Sequence, residues 1–169
     1  LCAVYRHGAD GSAPAYDRIA VVGHSLGSVA AYDALNAAIN ADQLDAAGAW
    51  HVVPRTCLLL TFGSPLDKTA FIFQAQGHDT GETREALAAA VQPLIQDYAY
   101  RSFPWVNVWS PADIVSGELE YYDDPQSPGY AEHRVENKAD PDARTPLVAH
   151  TEYWKNALIF RQLHERLVG

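Results

Sequence analysis

The chain has 169 residues, a formal charge of −9, 48% apolar and 20% charged residues. That length suits one domain over residues 1–169 with a core of its own. The acidic balance would repel nucleic-acid phosphates, and no apolar run approaches the roughly 20 residues that a membrane span needs. No secretory apolar segment opens the chain, so a soluble protein is expected, its compartment open with the cytoplasm favoured. Cys2 and Cys57 make neither a metal nor a redox spacing, and neither a metal nor a cofactor is expected. The oligomeric state is not legible.

Leu1 to Tyr5 reads as an apolar lead-in and His7 to Pro14 as a loop. Ile19 to Val22 is a short apolar strand that ends in Gly23-His24-Ser25-Leu26-Gly27, where a helical pattern of small residues (Ala30, Ala31, Ala34, Ala37, Ala38) begins at once. Strand, G-x-S-x-G turn and helix in immediate succession fit a nucleophile elbow, which holds a serine in a strained turn with its Oγ above the sheet. Gly23 and Gly27 are expected where strand and helix backbones nearly touch and a Cβ would push them apart. The bland alternative is a Ser25 that only caps the helix, which would not require both glycines.

Thr56 to Phe62 is apolar almost throughout, as a strand covered on both faces should be, and runs into the turn Gly63-Ser64-Pro65. A short helix is predicted over Asp67 to Gln76. A longer one is predicted over Glu82 to Tyr98, interrupted by Pro93. Trp105 to Trp109 is a third strand, followed by Ser110-Pro111-Ala112-Asp113 and an irregular stretch from Gly117 to Gly129. Tyr130 to Val135 reads as a short fourth strand and Asn137 to Pro146 as loop. Tyr153 to Leu167 is an amphipathic helix burying Trp154, Leu158, Ile159, Leu163 and Leu167. Alternating strands and helices imply an α/β fold with a mostly parallel sheet flanked by helices, and such sheets collect their chemistry at the strands' carboxyl ends.

A serine hydroxyl needs a neutral imidazole to take its proton, and the imidazole needs a carboxylate to fix its tautomer. His150, in a loop before the last helix, is preferred to His133 as base. His24 adjoins the nucleophile and should point away from its Oγ. Asp113 is preferred to Asp67, Asp123 and Asp124 as acid, because Ile114 and Val115 would bury it. An ordinary Asx turn at Asp113 is the alternative. A histidine base predicts hydrolysis that climbs between roughly pH 6 and 8.

Four segments together resemble lipases of the α/β-hydrolase superfamily, class 3 type. They are Gly23-His24-Ser25-Leu26-Gly27, Thr61-Phe62-Gly63-Ser64-Pro65, Asn107 to Val115 and His150-Thr151-Glu152-Tyr153-Trp154. The resemblance implies an α/β-hydrolase fold and cofactor-free ester hydrolysis through an acyl-enzyme on Ser25, with a small acyl-ester or lipid substrate. Two departures stand out: Ser28 where such lipases carry a second glycine, and Gly117 in place of a proline-rich continuation. The Leu26 N–H would be one oxyanion donor, and no residue presents itself as the second. Only about seventeen residues precede the first strand, where that superfamily has several strands. The chain is therefore expected to be either the C-terminal half of such a sheet or a reduced or inactive version. A thioesterase or acyltransferase with the same three residues, and an inactive hydrolase-like binding domain, are the rival expectations. About half of Phe71, Phe73, Tyr98, Tyr100, Phe103, Tyr121 and Tyr122 are expected to line an acyl pocket.

Overall fold

Strand β2 (Thr56–Phe62) shows how the core is divided. Successive side chains on a strand face opposite ways. Leu59 joins Tyr32, Leu35, Ile39 and Trp105 on one side of the sheet, while Leu58, Leu60 and Phe62 meet Val106, Val108, Tyr153 and Ile159 on the other. A strand with a core on each face needs an apolar run rather than an alternating one, which is what the Leu58-Leu59-Leu60 triplet provides.

The computed structural model of the protein describes residues 1–5, 16–45, 50–69, 95 and 97–169. Within them β1 (Ile19–His24), β2, β3 (Trp105–Trp109) and β4 (Glu136–Ala139) form one parallel sheet in the order β1-β2-β3-β4. Helix α1 (Cys2–Tyr5) buries Tyr5, whose hydroxyl meets Thr56 Oγ1 at 2.8 Å. Helix α2 (Leu26–Leu44) packs on β1, and α3 (Val52–Arg55) leads directly into β2. One turn of helix, α4 (Tyr130–His133), precedes β4, and another, α5 (Ala149–Glu152), runs into the 3-10 turn Tyr153–Lys155. The last helix, α6 (Ala157–Leu167), lies against β2 and β1. The α/β expectation with a parallel, helix-flanked sheet therefore holds. Among the described residues no helix is long and apolar enough to cross a membrane.

Three expected elements differ. Tyr130 to Val135 is not a strand, because its first four residues form α4 after a Gly129 at φ 90°. The fourth strand instead runs through Glu136-Asn137-Lys138-Ala139, expected as loop because it has no apolar alternation. The final helix is broken at Asn156, whose amide donates to the buried Asp140 carboxylate at 2.8 Å. Only Ile159 of its predicted core positions is fully buried, and Trp154 on the 3-10 turn stays 53% exposed. Most of the helix predicted over Glu82 to Tyr98, the loop from His7 to Pro14, and the Phe71–Gln76 part of the short helix lie outside the described residues.

What recruits so polar a fourth strand is a row of side chains crossing the sheet in register. Gly23 pairs with Thr61, Thr61 with Asn107, and Asn107 with Asn137. Trp105 Nε1 donates to Thr61 Oγ1 at 3.1 Å, and that hydroxyl donates to Asn107 Oδ1 at 3.1 Å. Asn107 Nδ2 donates to Asn137 Oδ1 at 2.8 Å and to the Gly117 carbonyl at 2.9 Å. Asn137 in turn exchanges hydrogen bonds with both backbone groups of Leu119. Thr61 and Asn107 are wholly buried, so cutting this row strands desolvated partners. Replacing Asn107→Ala should cost about 1–3 kcal/mol. Urea unfolding checks this, with Asn107→Asp expected to be at least as damaging because it buries a charge beside Asn137.

Candidate active site

Ser25 follows the last residue of β1 and has φ 56° and ψ −132°. A side-chain-bearing residue held at positive φ costs about 1–3 kcal/mol, so the surroundings must over-determine it. They do so from three directions. The Ser25 N–H donates to the Phe62 carbonyl at 3.1 Å, tying the turn to the end of β2. Its carbonyl accepts the Ser28 N–H at 2.9 Å, and the buried Ser28 hydroxyl donates back to the Gly23 carbonyl at 3.1 Å. Ser28, a departure from the lipase pattern, is thus the bolt between strand and helix.

Gly23 has the steric task expected of it. A Cβ there would lie 2.6 Å from Ser28 Cα and 2.7 Å from the Gly27 carbonyl oxygen. Gly27 does not share it: a Cβ would meet nothing within 4 Å among the described residues, because it points away from the strand. The Ser25 side chain makes no capping bond to α2. Its Oγ lies 2.8 Å from His150 Nε2 instead.

Asp113 sits four residues beyond β3, after a turn closed by its own N–H on the Ser110 carbonyl at 3.0 Å. Its two oxygens divide the work. Oδ1 accepts the Val115 N–H at 2.9 Å, which is an Asx turn, while Oδ2 faces His150 Nδ1 at 2.9 Å. One oxygen thus makes the Asx turn, and the other faces the imidazole. Oδ2 also accepts the buried Tyr153 hydroxyl at 3.0 Å, and with that proton committed the hydroxyl oxygen takes the Ser116 O–H at 3.0 Å. Ile114 does not bury the carboxylate, for it is 76% exposed. Tyr153 and Ser116 shield it, and Lys68 Nζ holds the turn by donating to the Ile114 and Ser116 carbonyls.

Burial pushes the Asp113 carboxyl up, but the hydrogen bonds from His150, the Val115 N–H and Tyr153 outweigh it and hold the group below the usual range. A depressed carboxyl pKa stabilises the fold above the unfolded value of about 3.9, and that stability is lost as pH falls through the folded pKa. A carboxylate facing Nδ1 requires the proton there, leaving Nε2 to accept from Ser25. The three side chains singled out in the sequence thus meet at one edge of the sheet.

The competing candidates lie elsewhere. His133 sits beside the Tyr98 ring, Asp67 accepts the Glu120 and Tyr121 N–H groups, Asp123 pairs with Arg101, and Asp124 accepts the Gln126 N–H. His24, expected to point away from the Ser25 Oγ, makes its contacts with His150 instead: its Nε2 lies 2.8 Å from the His150 carbonyl and its ring 4.9 Å from the His150 ring. Tyr153 and Ser116 were missed altogether, Tyr153 because three residues past a histidine it reads as one more aromatic of the last helix. The backbone N–H of Leu26 begins α2 beside Ser25 and has no acceptor within the helix.

The aromatic residues expected around an acyl pocket divide unevenly. Tyr98, Phe103 and Tyr122 are buried, Tyr122 being packed edge-on to Tyr32, and they are not free to line an opening. Phe71 and Phe73 lie outside the described residues. Leu26, Ile114, Leu147, Val148 and Trp154, close to Ser25, Asp113 and His150 in sequence, are exposed. An open hollow of about 310 Å³ lies farther out, between Ser110–Ala112 and Ala139–Arg144, and touches none of the three. Among the described residues no group of three or more histidine, cysteine and acidic side chains is arranged to hold a metal ion.

A scan against protein-family models and searches of curated proteins and of solved structures find no match to this chain. What it does must be read from its own geometry.

The two elbow glycines should separate cleanly under mutation. Gly23→Ala should yield little folded protein, since both atoms it strikes are backbone. Gly27→Ala should be neutral or stabilising by up to about 1 kcal/mol, because alanine is the better helix former. Thermal melts of the two variants measure the contrast.

Proposed function

We propose that the protein is a serine carboxylic-ester hydrolase of α/β-hydrolase type that works through an acyl-enzyme on Ser25. One observation carries the reading: the unbroken relay from Ser25 Oγ through His150 to Asp113 Oδ2, with spacings of 2.8 and 2.9 Å. A helix-capping serine has no reason to aim its oxygen at an imidazole whose far nitrogen is held by a buried carboxylate.

In the proposed reaction Ser25 Oγ attacks the ester carbonyl carbon while His150 Nε2 takes the hydroxyl proton. The carbonyl electrons move onto oxygen, and the Leu26 N–H is the donor nearest to that developing charge. Asp113 stays ionised and stabilises the imidazolium. His150 then returns the proton to the departing alcohol oxygen as the C–O bond breaks, leaving an acyl ester on Ser25. Water, deprotonated by the same nitrogen, attacks that ester, and His150 returns the proton to Ser25 Oγ as the acyl–oxygen bond breaks and the acid leaves. No cofactor is needed to balance either half. A thiol ester or an acceptor alcohol fits the same sequence of steps, so the serine chemistry is the firmer part of the proposal and the acyl acceptor the finer one.

A fluorophosphonate probe tests the nucleophile. It should label the protein at Ser25, fail on Ser25→Ala, and react at least about a hundredfold more slowly with His150→Ala. Labelling should be lost in acid, because a protonated imidazole cannot take the serine proton. A probe that leaves the folded protein unmodified at pH 8 would contradict the proposal and favour a binding domain.

The exposed Leu26, Val148 and Trp154 support an apolar acyl group. Each methylene they cover is worth about 0.8 kcal/mol, or nearly fourfold in kcat/KM. p-Nitrophenyl butyrate should therefore outrun the acetate by about tenfold. A flat or falling series from acetate to octanoate would rule out an apolar acyl site.

A further inference from the structure

His24 ends β1 and is one residue before Ser25, yet its side chain makes its contacts with other elements. Its ring stacks on Phe62 at the end of β2, with centroids 4.9 Å apart and planes 24° apart. Its Nε2 lies 2.8 Å from the His150 carbonyl oxygen, and the Trp154 indole Nε1 lies 3.3 Å from its Nδ1. A carbonyl only accepts and an indole N–H only donates, so both bonds together fix the neutral ring with its proton on Nε2. Gly63 completes the fit from behind: at φ 58° it has no Cβ, and one placed there would press on this ring at 3.2 Å.

From this arrangement we infer that His24 is a positioning residue, a neutral strut that sets the distance between Ser25 and His150. The inference rests on the proposed serine chemistry for its consequence, though not for its geometry. Ser25 and His150 come from segments 125 residues apart, the second of which follows a Leu147 at φ 67°. Their relative placement depends on a contact between those segments beyond the reacting atoms themselves. The His24–His150 carbonyl bond is such a contact, with the Trp154 indole bonded to the same ring beside it. It joins the residue before the nucleophile to the main chain of the residue that would act as base.

The titratable side chains facing His24 among the described residues are His150, Asp113 and Tyr153. Burial lowers its pKa, its bond to the His150 carbonyl raises it, the neighbouring His150 lowers it, Asp113 raises it, and the net direction is down. Protonation at Nδ1 would turn two donors against each other at Trp154 and place a positive ring 4.9 Å from the His150 ring. The strut therefore fails in acid, and it fails below the pH at which an unperturbed histidine would titrate.

The test compares the intact protein with His24→Gln and His24→Asn. A glutamine amide nitrogen reaches about as far as Nε2, whereas asparagine stops one bond short of the His150 carbonyl. Both are polar, so a difference between them reports reach and not burial. His24→Gln should keep kcat/KM on p-nitrophenyl butyrate within about threefold, and His24→Asn should lose about a hundredfold, mostly in kcat. Wild-type kcat/KM should fall in acid with a slope rising above one proton, and both variants should keep a slope of one. In parallel, 15N-histidine NMR follows the His150 ring, whose Nδ1–H signal should be sharp in wild type and His24→Gln and broadened or shifted in His24→Asn. Equal activity, equal slope and an unmoved His150 signal in all three proteins would overturn the inference. If the wild-type protein neither hydrolyses esters nor takes the fluorophosphonate probe, the hydrolase proposal fails, and the NMR comparison still decides the strut. Should His24→Asn not fold, Trp154→Phe replaces it. Losing only the indole donor, it should leave the proton on either nitrogen of His24 and weaken the same His150 signal.

Discussion

The Thr61–Asn107–Asn137 row fixes the relative level of β2, β3 and β4, with Gly23 of β1 in register beside it, and the site depends on that level. A parallel strand that slips by one residue turns its whole side-chain set to the other face. Apolar side chains alone tolerate such a slip in β2, where Leu58, Leu59 and Leu60 are interchangeable. Buried amides do not, because a shifted Asn107 would leave several donors and acceptors without partners. With the row in register, β1 ends at His24, β2 at Phe62 and β3 at Trp109, so the turns bearing Ser25, Gly63 and Asp113 open on a common edge. The same amides hold Gly117 and Leu119, fixing where the chain goes once it has left Asp113.

Strain and its compensation are also distributed. The unfavourable φ at Ser25 is held by a backbone bond to β2, a bolt from Ser28 and the bare Cα of Gly23. None of these touches the oxygen that reacts in the proposed chemistry, so the hydroxyl is left free to meet an imidazole. At Asp113 the logic is similar. One oxygen shapes the turn, and the other is left to an imidazole and a tyrosine. Function and local architecture use different atoms of one side chain.

Much of this was legible in the residues. The bounds of β2 and β3 followed from unbroken apolar runs, and Ser25, Asp113 and His150 from residue type and chain order. What escaped was whatever depends on tertiary partners. β4 is Glu-Asn-Lys-Ala and carries no periodic signal, since it is recruited by β3 through Asn137. Tyr98, Phe103 and Tyr122 are aromatic like a pocket wall and aromatic like a core, and only packing tells the two apart. Gly27 was assigned a steric task from a motif, yet on a helix the direction of its missing Cβ decides, and it points to open space. The supporting roles of His24, Tyr153 and Ser116 lie in hydrogen bonds spanning between 37 and 126 residues of sequence, which no local pattern encodes.

The polar character of β4 has a consequence for how the molecule comes apart. Segments with little buried apolar surface open at lower free energy than the core around them. β4 is such a segment, half-exposed and secured by amides, while β1 and β2 are anchored in leucine, valine and tyrosine. Fraying would therefore begin at the strand that leads to His150 and leave the turn at Ser25 intact. On warming, the first species to accumulate would keep most of its sheet and an ordered serine with no imidazole beside it. Heat would part Ser25 from His150 before it unfolded the protein.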